Sequence, residues 1–399
     1  MQTNKPVVLL LGGGHGDIPM ITAAQELGYS VLTTGNQPDS LGHKVSDHYE
    51  FGDFSDRDAM LSLAQKHSVV GVIPSCNDFA AVSASFIAEQ IGLPGHDTLD
   101  TAELLHHKDK FRDFCALESI PSPKSARSFD SVVEAASYIG TLNDRVIVKP
   151  IDLTGGKGVA VVERGEDPFD VLTNAYKISR AKRIVIEEFV EGSQHGYSAL
   201  VVSEEVVFGF MDNEHYFANR YMVGAASSPS VLDDSIRAEL ATIVENISKS
   251  LRLVDGIFHV QFIMTQNGPR IIEVCRRPPG DLYVNLVSLA CGFDYPELIV
   301  KGFLGQRIDR PTVCNYPNPI VRYCVMSEKV GVLHAVSYSE NLKTRIINQL
   351  QLWKPGQIVS DHLTTKYAIL FLELDSAESL SEQVEHVSGH YDIHMEARV

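Results

Sequence analysis

The stretch IVKPIDLTGGKGVAVVE, residues 147–163, gathers the groups best suited to handling phosphate. Lys149 ends an apolar run, and Pro150 after it keeps the run from continuing as a helix. Gly155, Gly156 and Gly158 surround Lys157, and bare backbone N–H groups in such a loop can approach phosphate oxygens closely. The common phosphate loop has its first glycine well upstream of a Gly-Lys-Ser/Thr that opens a helix, which this stretch lacks. Here the glycines lie between two strand-like runs. The loop reads either as a hairpin flap over a nucleotide or as an ordinary hairpin turn.

Three further stretches bear on that choice. HHKDKFRDF (106–114) precedes it, and RIVIEEFVEGSQHGYSALVV (183–202) joins an apolar strand to two acids and an aromatic. GIFHVQFIMTQNGPRIIEVCRRPPGD (256–281) reads as two strands joined by an Asn-Gly turn, ending in a carboxylate and two arginines. These four stretches, in this order, resemble the ATP-grasp superfamily of carboxylate–amine (or thiol) ligases, whose relatives include biotin carboxylase-type enzymes. The resemblance extends to LLLGGGHGDIPMITAAQELGYSV and GVIPSCNDFAAVSASFIAEQIGLPG, which look like the family's N-terminal domain, and so covers essentially the whole chain.

The resemblance implies roles for particular residues. Lys110 matches the lysine that reaches nucleotide phosphates from the first domain, and Lys149 the strand lysine on the α-phosphate and adenine side. Gly155, Gly156, Lys157 and Gly158 match the lid over the β- and γ-phosphates. Glu187, Glu188, Phe189 and Val190 match the hinge at the adenine edge, with Glu187 toward the exocyclic amine. Gln194 and His195 fall near a ribose- or phosphate-facing position. Glu273 matches the central magnesium carboxylate, and Arg277 the arginine that steadies the phosphates and an acyl phosphate. The implied cofactors are ATP and Mg²⁺, and Lys149 and Arg277 are the expected catalytic pair.

Two positions depart from the family pattern. Gln261 stands where a carboxylate is usual and Cys275 where an asparagine is usual. Glutamine still offers magnesium a carbonyl oxygen, whereas cysteine is a poor partner for a hard cation. Arg276, Arg277 and Asp281 are either surface charges or an anion site. Arg220 is either a substrate-carboxylate anchor or a structural ion-pair member. His106 and His107 are expected to solvate a helix end.

The elements that must position these groups follow from hydrophobic periodicity. VVLLL, GGGHGD, IPMITAAQELG and YSVLTT read as strand, tight turn, helix and strand, and VVGVIP then FAAVSASFIAEQIGL repeat the alternation. A parallel sheet covered on both faces is implied. The second strand ends in TTGNQ, with no acid for a ribose 2′-hydroxyl, so Gly12, Gly13, Gly14 and Gly16 serve a tight turn or a substrate's anionic end. A helix is expected over 101–119, then a small mixed unit with helices at 131–139 and 168–179 and strands at 145–149, 159–163 and 183–188. β-rich runs from 195 to 275 are interrupted by a helix at 232–252.

The fold class expected is α/β, a three-unit ATP-grasp architecture. Its units are an N-terminal parallel-sheet domain (1–118), the ATP-grasp domain (119–304, lid-bearing part about 119–190) and a β-rich C-terminal subdomain (305–399).

Composition narrows the partners. A formal charge of −17 argues against nucleic-acid or anionic-membrane surfaces, which need a basic footprint. The apolar run 7–11 is too short for a membrane span or signal core, and the six cysteines form no CxxC pair. A cytoplasmic enzyme with small-molecule carboxylate and amine substrates is expected, a homodimer being common among relatives. By resemblance alone, an amino-acid ligase forming an amide through an acyl phosphate ranks first. A biotin carboxylase or purine-pathway ligase ranks lower because the chain is short and the metal pattern altered. The alternative is a nucleotide-binding regulatory or scaffold protein with a degraded site.

Overall fold

The computed structural model describes residues 5–124 and 127–396. The first unit comprises β1 (Val7–Leu11), α1 (Ile18–Glu26), β2 (Ser30–Gly35), β3 (His48–Phe51), α2 (Arg57–Lys66), β4 (Gly71–Pro74) and α3 (Asp78–Ile91). Its strands form a parallel sheet in the order β3-β2-β1-β4. β1 is apolar on both sides because both faces are covered: Leu9 and Leu11 meet α2 and α3, while Val8 and Leu10 meet α1. The strand order reverses at β1, which opens a crevice at the carboxyl ends of β1 and β4.

The single helix expected over 101–119 is two, α4 (Leu99–His106) and α5 (Lys108–Leu117). His107 adopts an extended backbone (φ −83°, ψ 117°) and breaks them apart. Phe111, Phe114 and Cys115 of α5 join the core that also holds Phe262 and Ile271, so the central unit's core begins before residue 119.

A small layer follows: β5 (Arg127–Phe129), α6 (Val132–Ile139), β6 (Val146–Pro150), β7 (Ala160–Val162), α7 (Phe169–Ile178) and β8 (Ile184–Glu188). Its antiparallel sheet runs β5-β8-β6-β7, and α6 and α7 supply its apolar cover. These spans agree with the hydrophobic pattern to within a residue or two.

The central unit continues with β9 (Ser193–Val202), β10 (Glu205–Tyr216), β11 (Val223–Ser228), α8 (Asp234–Leu251), β12 (Gly256–Thr265), β13 (Gly268–Cys275), α9 (Tyr283–Cys291) and α10 (Tyr295–Phe303). The C-terminal region adds β14 (Ile320–Val325), β15 (Gly331–Tyr338), α11 (Glu340–Arg345), β16 (Ile346–Gln351), β17 (Gln357–Val359), β18 (Ala368–Glu373), α12 (Leu380–His386) and β19 (Tyr391–Glu396). One antiparallel sheet of eight strands runs β13-β12-β9-β10-β11-β14-β18-β16. It therefore crosses the expected division at 304/305, and only β15, β17 and β19 form a separate sheet. α9 and α10 share one core with the first unit and a face of this sheet, so the units pack as one body. Among the described residues, no helix is long and apolar enough to cross a membrane.

Candidate active site

A cleft of about 350 Å³ lies between the small sheet and the large one. Its lining includes Lys149 of β6, the β6–β7 loop, Glu187 through Val190, Glu214 of β10, Gln261 of β12 and Glu273 of β13. Antiparallel pairing sets several of these opposite one another: Ile147 faces Glu187 across β6 and β8, and Gln261 faces Glu273 across β12 and β13.

Lys149 and Glu187 are both buried, and Lys149 Nζ donates to Glu187 Oε2 at 2.7 Å. Arg112 of α5 closes the cluster, with Nε 2.7 Å from Glu187 Oε1 and Nη2 donating to the Ile272 carbonyl at 2.6 Å. Burial alone would raise the Glu187 carboxyl, but Arg112 and Lys149 hold it down at about 2. The expected contact between Glu187 and an exocyclic amine is thus not what its carboxylate does. It is the counter-ion of Lys149 and Arg112. Glu188 is likewise engaged, accepting from the Lys124 backbone N–H at 2.7 Å. Phe189 packs under the Arg145 guanidinium, 4.2 Å from the ring centre. With Ile147, Val161, Ile263 and Ile272, these residues give the slot apolar walls.

Lys110 does not enter the cleft. It is half-exposed and pairs with Glu103 at 3.1 Å. Lys108 takes the inward position, with Nζ donating to the Leu153 carbonyl at 2.6 Å and lying 3.7 Å from Glu273 Oε1. The reason is helical geometry: Lys108 shares the buried face of α5 with Phe111, Arg112 and Cys115, whereas Lys110 faces away. Lys108→Ala is expected to weaken nucleotide binding by about 1.5–3 kcal/mol, a charge-assisted hydrogen bond, and Lys110→Ala by under about 0.5 kcal/mol. Titration calorimetry with ATP decides it; equal losses in the two variants would remove Lys108 from the site.

Other expected residues are also placed elsewhere. Arg277 forms a bidentate pair with Asp78 at the start of α3, Nε to Oδ1 at 3.0 Å and Nη2 to Oδ2 at 2.8 Å. Arg276 binds Asp97 at 2.8 Å and the carbonyls of Ile257 and Val254 at 2.5 Å. Both arginines clamp the first unit onto the large sheet, and neither lines this cleft. His195 is buried between the Asp212 carbonyl and Ser193 Oγ and stacks on Phe262. Gln194, one residue earlier on β9, faces the cleft instead. His106 does not solvate a helix end: both ring nitrogens are buried without a partner, and burial pushes its pKa down to about 4. Arg220 is exposed at the cleft mouth and makes no ion pair among the described residues.

The glycines expected to form a lid all have left-handed backbone, with φ of 67°, 72° and 70° at Gly155, Gly156 and Gly158. Gly156 lies so close to the segment 217–222 that a Cβ there would sit 2.4 Å from the Tyr221 carbonyl. The loop tip thus rests on the residue next to Arg220, while Lys157 stays exposed.

Glu214 is a site residue that the motifs do not mark. Its Oε1 accepts from Gln261 Nε2 at 2.8 Å and its Oε2 from the Tyr216 hydroxyl at 2.6 Å. Burial first, with the Glu273 charge adding, raises its pKa. Glu214, Glu273 and the Gln261 carbonyl oxygen make a hard-oxygen donor set that suits magnesium. Cys275 stays out of it, its buried thiol pushed up to about 12 and turned to the Arg277 carbonyl at 3.6 Å. Among the described residues, no group of three or more His, Cys, Asp or Glu could hold a metal by itself. The donors fit an ion that shares its shell with phosphate oxygens.

Residues 107–281, a little under half of the chain, match the family model for the phosphoribosylglycinamide synthetase ATP-grasp (A) domain. Solved structures agree over nearly all of the chain. The L-amino acid ligase from Bacillus licheniformis is similar over 99% of this chain and 100% of its own, at 16% identity and a TM-score of 0.81. The phosphoribosylglycinamide synthetase from Anaerococcus prevotii is similar over 98% and 100%, at 19% identity and 0.75. The biotin carboxylase domain of the 2-oxoglutarate carboxylase from Hydrogenobacter thermophilus, in complex with MgADP, is similar over 99% and 92%, at 15% and 0.73. At such identities the likeness is one of fold. Chain length therefore does not separate these branches, contrary to the expectation drawn from it.

Proposed function

We propose that the protein is an ATP-dependent carboxylate–amine ligase that forms an amide through an acyl phosphate, releasing ADP and phosphate. The observation that supports this best is the cleft itself, where a glycine lid, Lys149, Lys108 and two carboxylates converge. ATP would lie with its adenine edge at Glu188–Val190 and its phosphates beneath Gly155–Gly158. Lys149 and Lys108 neutralise phosphate charge, while Glu214, Gln261 and Glu273 would hold Mg²⁺. When bound, Mg²⁺ supplies charge neutralisation across the transferring phosphates. The lid on Tyr221 excludes water from a hydrolysable acyl phosphate. Arg220, unpaired at the mouth, is placed to receive an anionic substrate group. An amino acid as one substrate is the reading we favour.

ADP release measured with a panel of amino acids tests the proposal; turnover with at least one pair is expected. ATP binding with no ADP from any acceptor would replace ligation by a nucleotide-binding regulatory or scaffold role, which the Asp78 lock on Arg277 and the presence of Cys275 favour. The lid gives a separate check. Proteolysis near the exposed Lys157 is expected without nucleotide and suppressed by ATP with magnesium. Equal cutting in both states removes the lid role.

A further inference from the structure

A second cleft, of about 400 Å³, lies at the carboxyl ends of β1, β2 and β4, outside the nucleotide site. The glycine loop 12–16 forms one wall, and Gly280, Asp281 and Lys366 form the opposite one. A glycine loop at this reversal of strand order is where an anion would ordinarily meet free N–H groups. Here two of the loop's groups, with a third from the end of β4, are already taken. The buried Asp17 carboxylate accepts from Gly13 N–H at 2.9 Å and Gly14 N–H at 2.8 Å through Oδ2, and from Cys76 N–H at 3.0 Å through Oδ1. The chain has filled the cradle with its own anion. A phosphate brought there would have to displace a carboxylate held by three hydrogen bonds and would meet its negative charge.

The opposite wall carries both signs of charge. Lys366 Nζ lies 2.5 Å from Asp281 Oδ2, and His15 Nε2 lies 3.2 Å from Asp281 Oδ1. Behind Asp281, Arg322 is 2% exposed, yet its Nε has no partner and no described carboxylate lies within ion-pair distance. Its only hydrogen bond among those resolved runs from Nη1 to Cys324 Sγ at 3.0 Å. A buried guanidinium left this way is unfavourable unless an anion approaches it. The segment from Glu273 to Asp281 connects the two clefts directly through the chain.

We propose that this second cleft seats a free, unphosphorylated amino-acid zwitterion, its ammonium on Asp281 and its carboxylate on Lys366 with Arg322 behind, and that Asp17 excludes phosphorylated substrates. The zwitterion assignment rests on the ligase reading above; the exclusion by Asp17 does not. Asp17 is a specificity residue, and Lys366 and Asp281 are binding residues.

The test uses the full chain with its first cleft filled by a non-hydrolysable ATP analogue, and inorganic phosphate and ribose 5-phosphate as probes by titration calorimetry. Wild type is expected to show no binding of either at millimolar concentration. Asp17→Gly frees three N–H groups and should gain phosphate affinity by about tenfold or more, while Asp17→Asn keeps the cradle filled and should gain none. Asp17→Ser, with a side chain too short to fill the cradle, replaces the glycine variant where that one does not fold. The L-amino acids are then titrated singly against wild type and Lys366→Met, with thermal unfolding to confirm the fold. Loss of amino-acid affinity by about tenfold, with ATP affinity unchanged, is expected. Phosphate binding by wild type, or none gained by a folded Asp17→Gly or Asp17→Ser, overturns the exclusion even if no ligase turnover exists. Unchanged amino-acid affinity in Lys366→Met overturns the zwitterion seat.

Discussion

Asp78→Ala is expected to destabilise the protein by about 3–5 kcal/mol, the usual loss when one partner of a buried ion pair is removed. The carboxylate and the Arg277 guanidinium are both nearly buried, and their two hydrogen bonds join the first unit to the large sheet. Alanine would leave the guanidinium charged, desolvated and unpaired. The pair also predicts a pH dependence. Burial opposes ionisation of Asp78, but Arg277 outweighs it and lowers the carboxyl from 3.8 to about 2. A depressed carboxyl stabilises the fold above its unfolded value, and that contribution disappears as pH falls from about 4 toward about 2. The shift corresponds to roughly 2 kcal/mol. Glu187, held at about 2 by Arg112 and Lys149, weakens over the same window. Urea unfolding at a series of pH values should therefore show Asp78→Asn less stable at pH 7 and less acid-sensitive than wild type. The pair Asp78→Leu with Arg277→Met should recover much of the loss, since no charge is left buried. A folded Asp78→Ala within about 1 kcal/mol of wild type would mean the pair is not a lock.

The same contact shows how far the sequence could be read. Four short motifs in order were enough to place the glycine loop, the end of β8 and the β12–β13 hairpin, because each depends on local chemistry: glycine for positive φ, alternation for strands, Asn-Gly for the turn. What a side chain touches across the fold was not local. Arg277 sits where the family motif places a phosphate ligand, yet its partner lies 199 residues earlier in the chain. No spacing rule reaches that far.

Other misplacements did have a signal. Lys108 and Arg112 lie four apart on the apolar face of α5, so helical period favoured Lys108 over Lys110. His195 and Gln194 differ by one strand position, which is enough to exchange faces. Glu214 follows Asp212 by two on β10, directly after the apolar run VVFGFM. Two acids on one face of such a strand are costly to bury and so point to a site.

Glu214 changes what the metal variants should do. Glu273→Gln and Glu214→Gln are each expected to lower ADP formation by about 10³-fold, because metal charge stabilisation of several kcal/mol depends on both carboxylates. Magnesium-free nucleotide binding should persist in both, since Lys149 and the hinge remain. Were Glu273 the only anionic ligand, Gln261→Glu would simply restore a missing charge. With Glu214 Oε1 already 2.8 Å from the Gln261 amide, the new carboxylate would face an existing one. Two carboxylates that close cannot both ionise without a cation, so one proton is retained or the fold loses stability at neutral pH. Gln261→Glu should therefore lower the melting temperature without metal and tighten magnesium binding when ATP is present, the two effects having opposite signs. Cys275→Asn should be near neutral, because the thiol is turned to the Arg277 carbonyl and does not line the cleft. Full turnover in Glu214→Gln, or a Gln261→Glu protein as stable as wild type without magnesium, would return the ion to Glu273 alone.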